Sequence, residues 1–111
     1  VFERLLDERL QDPEFRREYA VESARIAAID AVINDLDEAR EESNLSKAQL
    51  ARAIGANPSV VRRLFSAQAV NPTLATVAEL AAVLGLKVTL TPMTAEERER
   101  LTDPIRAVVV G

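Results

Sequence analysis

LSKAQLARAIGANPSVVRRLFSAQAVNPTLATVAELAAVLG (residues 45–85) holds two of the chain's three glycines, Gly55 and Gly85, each just after a run with helical apolar spacing. Ser46 stands ready to cap a helix from Lys47 to Ile54, with Gln49 at the capping-box position three residues on. Leu50, Ala51 and Ile54 form its apolar stripe, and Gly55 closes it where a β-carbon would clash in a left-handed turn. Asn57 then caps and Pro58 opens a second helix, since proline suits the first helical position. Within residues 58–66, Val61, Leu64 and Phe65 point one way, and Ser59, Arg62, Arg63 and Ser66 point the other. After a loop over 67–72, Thr73 caps a third helix over 74–84, which Gly85 stops.

Outward from this stretch the pattern stays helical on the N-terminal side. Phe2, Leu5, Leu6 and Leu10 space a short amphipathic helix. Asp12-Pro13-Glu14 restarts the chain with a cap, a proline and a first-turn acid. Phe15, Tyr19, Glu22, Ile26, Ile29, Ile33, Leu36 and Arg40 then step by alternating fours and threes, with no Gly or Pro before Ser43-Asn44. The simplest reading is one helix over 13–42, whose seam serves either the bundle's own core or pairing with another helix. On the C-terminal side, residues 86–91 alternate apolar and polar as a six-residue strand ended by Pro92. Thr94 and Glu97 cap a short helix, and residues 107–110 offer a second strand. Two short strands would pair with each other or across a dimer to cover their edges.

Composition narrows the function. With 48% hydrophobic but only 4% aromatic residues, the core must rely on closely packed small side chains. The chain has neither His nor Cys. It therefore lacks the commonest general base and the thiol nucleophile, and it shows no Gly-rich phosphate loop, so an enzyme and any bound cofactor are not expected. The absence of cysteine also permits a reducing compartment, and a cytoplasmic location is expected. No apolar run approaches the roughly 20 residues that span a bilayer, and the charged opening VFERLLDERL does not read as a signal peptide. A start at Val1 rather than Met implies a processed terminus or residues ahead of it.

The net charge of −4 is unevenly spread. Residues 45–86 carry Lys47, Arg52, Arg62 and Arg63 against Glu79 alone, a net of +3. Residues 1–44 carry six Arg against thirteen Asp and Glu, a net of −7. A mildly basic segment is joined to an acidic arm. Phosphate attraction is local, so the overall acidity does not exclude nucleic acid. A basic protein partner would explain the arm, as would an ordinary solvated helix face.

These residues resemble the Xre/Cro/C1 family of repressor-like helix-turn-helix domains. The counterparts are Leu45-Ser46-Lys47, Leu50-Ala51, Ile54-Gly55, Val61-Arg62-Arg63-Leu64, Pro72-Thr73, Thr76-Val77 and Leu84-Gly85. The resemblance implies a mainly α, lambda-repressor-like five-helix DNA-binding domain over 30–86. An N-terminal helical arm over 1–29 and a C-terminal strand/helix extension over 87–111 flank it. Three departures matter: Lys47 replaces a usual Gln, Phe65 a common Glu, and Pro58 a frequent base-reading side chain.

Arg62 and Arg63 are the expected base or phosphate contacts, because Arg reads guanine bidentately. Ser59 is a candidate for a base or phosphate, and Val60 for a thymine methyl or for packing. Asn57, at the cap of the reading helix, joins the DNA-facing set, and Lys47, Gln68, Asn71 and Thr73 are candidate phosphate clamps. The expected ligand is a palindromic operator bound by a homodimer, formed through the long helix, the C-terminal strands or both. The segment DPEFRREY (residues 12–19) ahead of a long helix further resembles the arm of HigA-type antitoxins. That resemblance implies a RelE/HigB-like ribonuclease toxin as partner, met by Glu14, Arg16, Arg17, Glu18 and Tyr19. A stand-alone repressor without a toxin, and a purely structural dimerisation module, remain as alternatives.

Overall fold

The computed structural model of the chain describes residues 2–9, 11–66 and 71–110, the last three as backbone only. Every regular element among them is helical. In chain order they are α1 (Phe2–Arg9), α2 (Pro13–Glu42), α3 (Lys47–Ala53), α4 (Pro58–Leu64) and α5 (Leu74–Val83). A final helical run, α6, joins three abutting segments, Ala95–Glu97, a wide π-turn over Arg98–Thr102, and Asp103–Val110. Contacts divide the chain into two compact units, one spanning Ile29–Leu90, the other Val1–Ala28 with Thr91–Gly111.

The unit Ile29–Leu90 is built on local signals that the sequence carries in full. Ser46 Oγ accepts from the Gln49 N–H at 3.0 Å while Gln49 Oε1 accepts from the Ser46 N–H at 2.8 Å, a complete capping box. Asn57 Oδ1 accepts from the Ser59 N–H, and Thr73 Oγ1 from the Thr76 N–H. Three of its helices stop with the same device. A residue in left-handed conformation, Asn44 (φ 58°), Gly55 (φ 69°) or Gly85 (φ 76°), turns the chain back. The next N–H then reaches a carbonyl one turn inside: Leu45 to Arg40, Ala56 to Ala51 and Leu86 to Ala81. That pattern satisfies carbonyls the helix end would otherwise orphan.

Leu50, Ala51, Val61 and Leu80 have no exposed surface, and Leu36, Leu64 and Ala81 complete a core drawn from α2, α3, α4 and α5. Ala51 is fully buried in that close-packed cluster, where a larger side chain would force its neighbours apart. Ile33, Ile54, Phe65, Val77 and Leu84 pack around this cluster. Each fully buried Leu contributes about 1.5–3 kcal/mol.

α2 is continuous, as its unbroken spacing predicts, and its first N–H groups are met by Asp12 Oδ1, which accepts from the Glu14 N–H at 3.0 Å. Its seam divides. Leu36 and Ile33 serve the core, whereas Tyr19 and Ile26 are 45% and 47% exposed. α1 forms where expected but leaves Phe2 and Leu5 largely exposed.

Two expectations are corrected. Among the described residues the unit Ile29–Leu90 has four helical segments rather than five, because the chain leaves Gly85 as an irregular stretch and its next helix belongs to the other unit. The C-terminal β segment does not form among the described residues. Residues 86–91 are without regular structure, and Asp103–Val110 is helical. An isolated strand leaves its backbone groups without a ladder, so alternation alone cannot hold it. The Ala-Val-Val-Val run stays in the helix that Thr94 and Glu97 start with a second capping box. The helix-propensity penalty of valine is under about 1 kcal/mol per residue, so a helix already begun overrides it. Pro104 is accommodated by the π-turn just before it, where the Asp103 N–H reaches five residues back to Arg98. The wider turn moves the preceding carbonyls away from the proline ring.

Candidate nucleic-acid interface

α4 is the element that carries the cationic residues, and its orientation follows from its buried side. Val61 is fully buried and Leu64 is 6% exposed, so the opposite side must face water. At about 100° per residue, that side carries Ser59, Arg62, Arg63 and Ser66, all exposed. α3 packs against α4 through the buried Leu50 and Ala51, and so fixes the angle at which this face is presented. Arg52, on the last turn of α3, adds a third exposed guanidinium in the same unit.

The cap of α4 is tightly organised. Asn57 Oδ1 accepts from both the backbone N–H and the hydroxyl of Ser59, at 3.0 and 2.9 Å. The Ser59 hydroxyl hydrogen is thereby committed to the cap, and the oxygen offers only its remaining acceptor capacity. Asn57 keeps its amide donors. Pro58, in the first position, has no N–H to give. Val60 is half exposed, at 51%.

Of the clamp candidates, Lys47, Asn71 and Thr73 lie outside α4 in the same unit. Lys47 is half-buried at the first position of α3, Asn71 is exposed ahead of α5, and exposed Thr73 caps α5. Thr73 Oγ1 also donates to Thr76 Oγ1 at 3.0 Å, so capping accounts for its hydrogen bonds. Gln68 lies outside the described residues.

Arg40, which the spacing alone marks only as the charged end of a seam, has a defined task. Its Nε donates to Asp37 Oδ1 at 2.8 Å, its Nη1 to the Leu45 carbonyl at 2.8 Å, and its guanidinium covers the Phe65 ring at 6.0 Å. It ties the end of α2 to the entry of α3 and the end of α4. Phe65, in turn, packs against the core where a charged residue would not.

In the other unit, Glu14, Arg16, Glu18 and Tyr19 are exposed and Arg17 is half-buried. Tyr19 stacks on Phe15, with ring centroids 6.4 Å apart, and Arg9 covers the Phe15 ring at 5.8 Å. One turn on, Arg25 pairs with Glu22, and that hydrogen bond holds the Glu22 carboxyl below its ordinary range. Among the described residues no cluster of carboxylates is placed to hold a metal ion. No described helix is long and apolar enough to cross a membrane.

Two helices crossing through small and branched apolar residues, joined by a glycine turn and presenting exposed arginines on the second, define a major-groove reading unit. Residues 36–90, about half the chain, match the helix-turn-helix family model. This segment is a helix-turn-helix domain of the Xre/Cro/C1 type, a fold of sequence-specific DNA binding. No curated protein and no solved structure matches the chain.

Proposed function

We propose that the chain is a DNA-binding antitoxin. In this reading it represses its own operon and neutralises a RelE/HigB-like ribonuclease toxin by direct binding. One observation carries the DNA half: Arg62 and Arg63 stand exposed on α4 while Val61 and Leu64 of the same helix are sealed in the core. A rigid cationic helix face suits a groove about 12 Å wide. We place the protein on its operator as a homodimer, since a two-fold reader matches a palindrome. It acts there without catalysis or a cofactor.

The toxin half rests on the arm. Residues 1–44 carry a net charge of −7, and Glu14, Arg16, Glu18 and Tyr19 are exposed on the first turns of α2. A small basic protein is the complementary partner. The stand-alone repressor accounts equally for α4 but assigns the arm no partner. Co-expression with the product of the neighbouring gene separates the two. The antitoxin reading expects a small basic protein to co-purify with the full chain, and alanine at Glu14, Arg16, Arg17, Glu18 and Tyr19 to abolish capture while DNA binding persists. A neighbour that never co-purifies leaves the stand-alone repressor as the reading.

A further inference from the structure

α4 has seven residues, and two buried side chains, Val61 and Leu64, seat it in the core. Both lie on one face. They set which side of the helix points outward but do not by themselves fix its tilt about the line that joins them. A third anchor stands at its C-terminal end. Phe65, the C-cap residue, packs against the core, and its ring lies under the Arg40 guanidinium at 6.0 Å. Arg40 belongs to α2 and is itself held in place. Its Nε donates to Asp37 Oδ1 and its Nη1 to the Leu45 carbonyl, each at 2.8 Å, with Glu41 Oε1 3.6 Å from Nη2. We propose that Arg40 is a positioning residue for DNA recognition: without touching DNA, it holds the tilt of α4 and so sets the chain's preference for its own site over other duplexes. The inference deepens the reading of α4 given above and rests on it.

The guanidinium is committed to protein groups. Its side chain is 14% exposed, Asp37, Glu41 and Leu45 meet its edge, and the Phe65 ring covers a face, whereas Arg62 and Arg63 stand exposed on α4. A planar fork donates along its edge while its face rests on a ring, which an ammonium cannot do. Hydrogen bonds to base edges weaken steeply with misalignment. Attraction to phosphates is independent of sequence and tolerates a small rotation. A change of tilt therefore removes preference before it removes binding. A role in stability alone works the other way, since an unfolded domain loses both together.

The test compares the affinity of the full chain for a duplex selected from a random-sequence library with that for a scrambled duplex, at one salt concentration. Arg40→Lys keeps the charge but not the fork, and Phe65→Leu keeps an apolar side chain but not the ring. Each is expected to weaken binding to the selected duplex roughly tenfold, the scale of one lost base contact. Binding to the scrambled duplex should change by less than about twofold. The two substitutions together should weaken it little more than the larger single effect, because they break the same contact. A circular dichroism melt sets the measuring temperature well below the transition of every variant. Unchanged affinity for the selected duplex, or loss of both affinities in equal proportion, leaves Arg40 a stabilising residue and overturns the proposal. Arg62→Ala with Arg63→Ala is the control for the underlying reading. If that pair keeps the full preference, or the wild type selects no duplex, the assignment of α4 itself fails.

Discussion

The guanidinium carbon of Arg40 lies 6.0 Å from the centroid of the Phe65 ring, joining the end of α2 to the end of α4. The same side chain bonds the Leu45 carbonyl through Nη1, while the Arg40 carbonyl accepts the Leu45 N–H at 3.2 Å. One residue thus closes the turn into α3 from both its backbone and its side chain. The position of the reading helix depends on this bracket as well as on the core.

Replacing Arg40 by alanine is expected to destabilise the chain by about 1–3 kcal/mol, since it removes a charge-assisted bond to a carbonyl, an ion pair and a ring contact together. The side chain is only 14% exposed, so solvent screening discounts these contacts less than at the surface. Arg40→Lys should recover little, because an ammonium cannot serve Asp37, Leu45 and Phe65 at once. Urea titration measures both. A midpoint unchanged in Arg40→Ala would mean the bracket is decorative.

Gly55→Ala isolates backbone conformation from packing. An added β-carbon would meet nothing within 4 Å, so the penalty is the left-handed φ of 69° alone. A loss of about 1–2 kcal/mol is expected. Asn44 shares that conformation at φ 58°. Its replacement by glycine should be neutral within about 0.5 kcal/mol, and by alanine should lower stability by about 1 kcal/mol. A neutral Gly55→Ala would show that the turn rearranges.

The second capping box makes the C-terminal helix sensitive to acid. The Thr94 N–H donates to Glu97 Oε1 at 3.0 Å, and this bond, with the Thr94 hydroxyl, holds the Glu97 carboxyl below its ordinary 4.5. A carboxyl whose folded value is lowered stabilises the helix above its ordinary value and loses that contribution as pH falls through the lowered one. Glu97→Gln keeps an acceptor and should flatten the dependence. A carboxyl-resolved NMR titration reads it directly, and a Glu97 midpoint at or above 4.5 would mean the box is open in solution.

The local half of this molecule is written in its sequence. Ser46, Gln49, Asn57, Thr73 and Thr94 act on neighbours two or three residues away, Pro58 opens its helix, and all of them do in the structure what their types imply. What failed was non-local. Residues 86–91 alternate like a strand, but a strand is defined by its partner, and 103–110 is helical instead. Within the candidate site, the outward face of Arg62 and Arg63 followed from the spacing of Val61 and Leu64. The status of Val60 did not, because periodicity puts it on a flank that either packs or stands clear. Nor did the role of Arg40, whose partners lie on three different segments. The seam of α2 likewise gave no sign that Leu36 would be buried and Ile26 left half in water.

Binding of the full chain to a labelled duplex bearing its selected site, against a scrambled duplex at several salt concentrations, bears most directly on α4 as the reading helix. The wild type is expected to prefer its site by about 10³-fold or more. Arg62→Ala with Arg63→Ala should erase most of that preference, at about 1–3 kcal/mol per lost base contact, and flatten the salt dependence for each lost phosphate contact. Equal affinity and an equal salt slope in wild type and double variant would contradict the assignment.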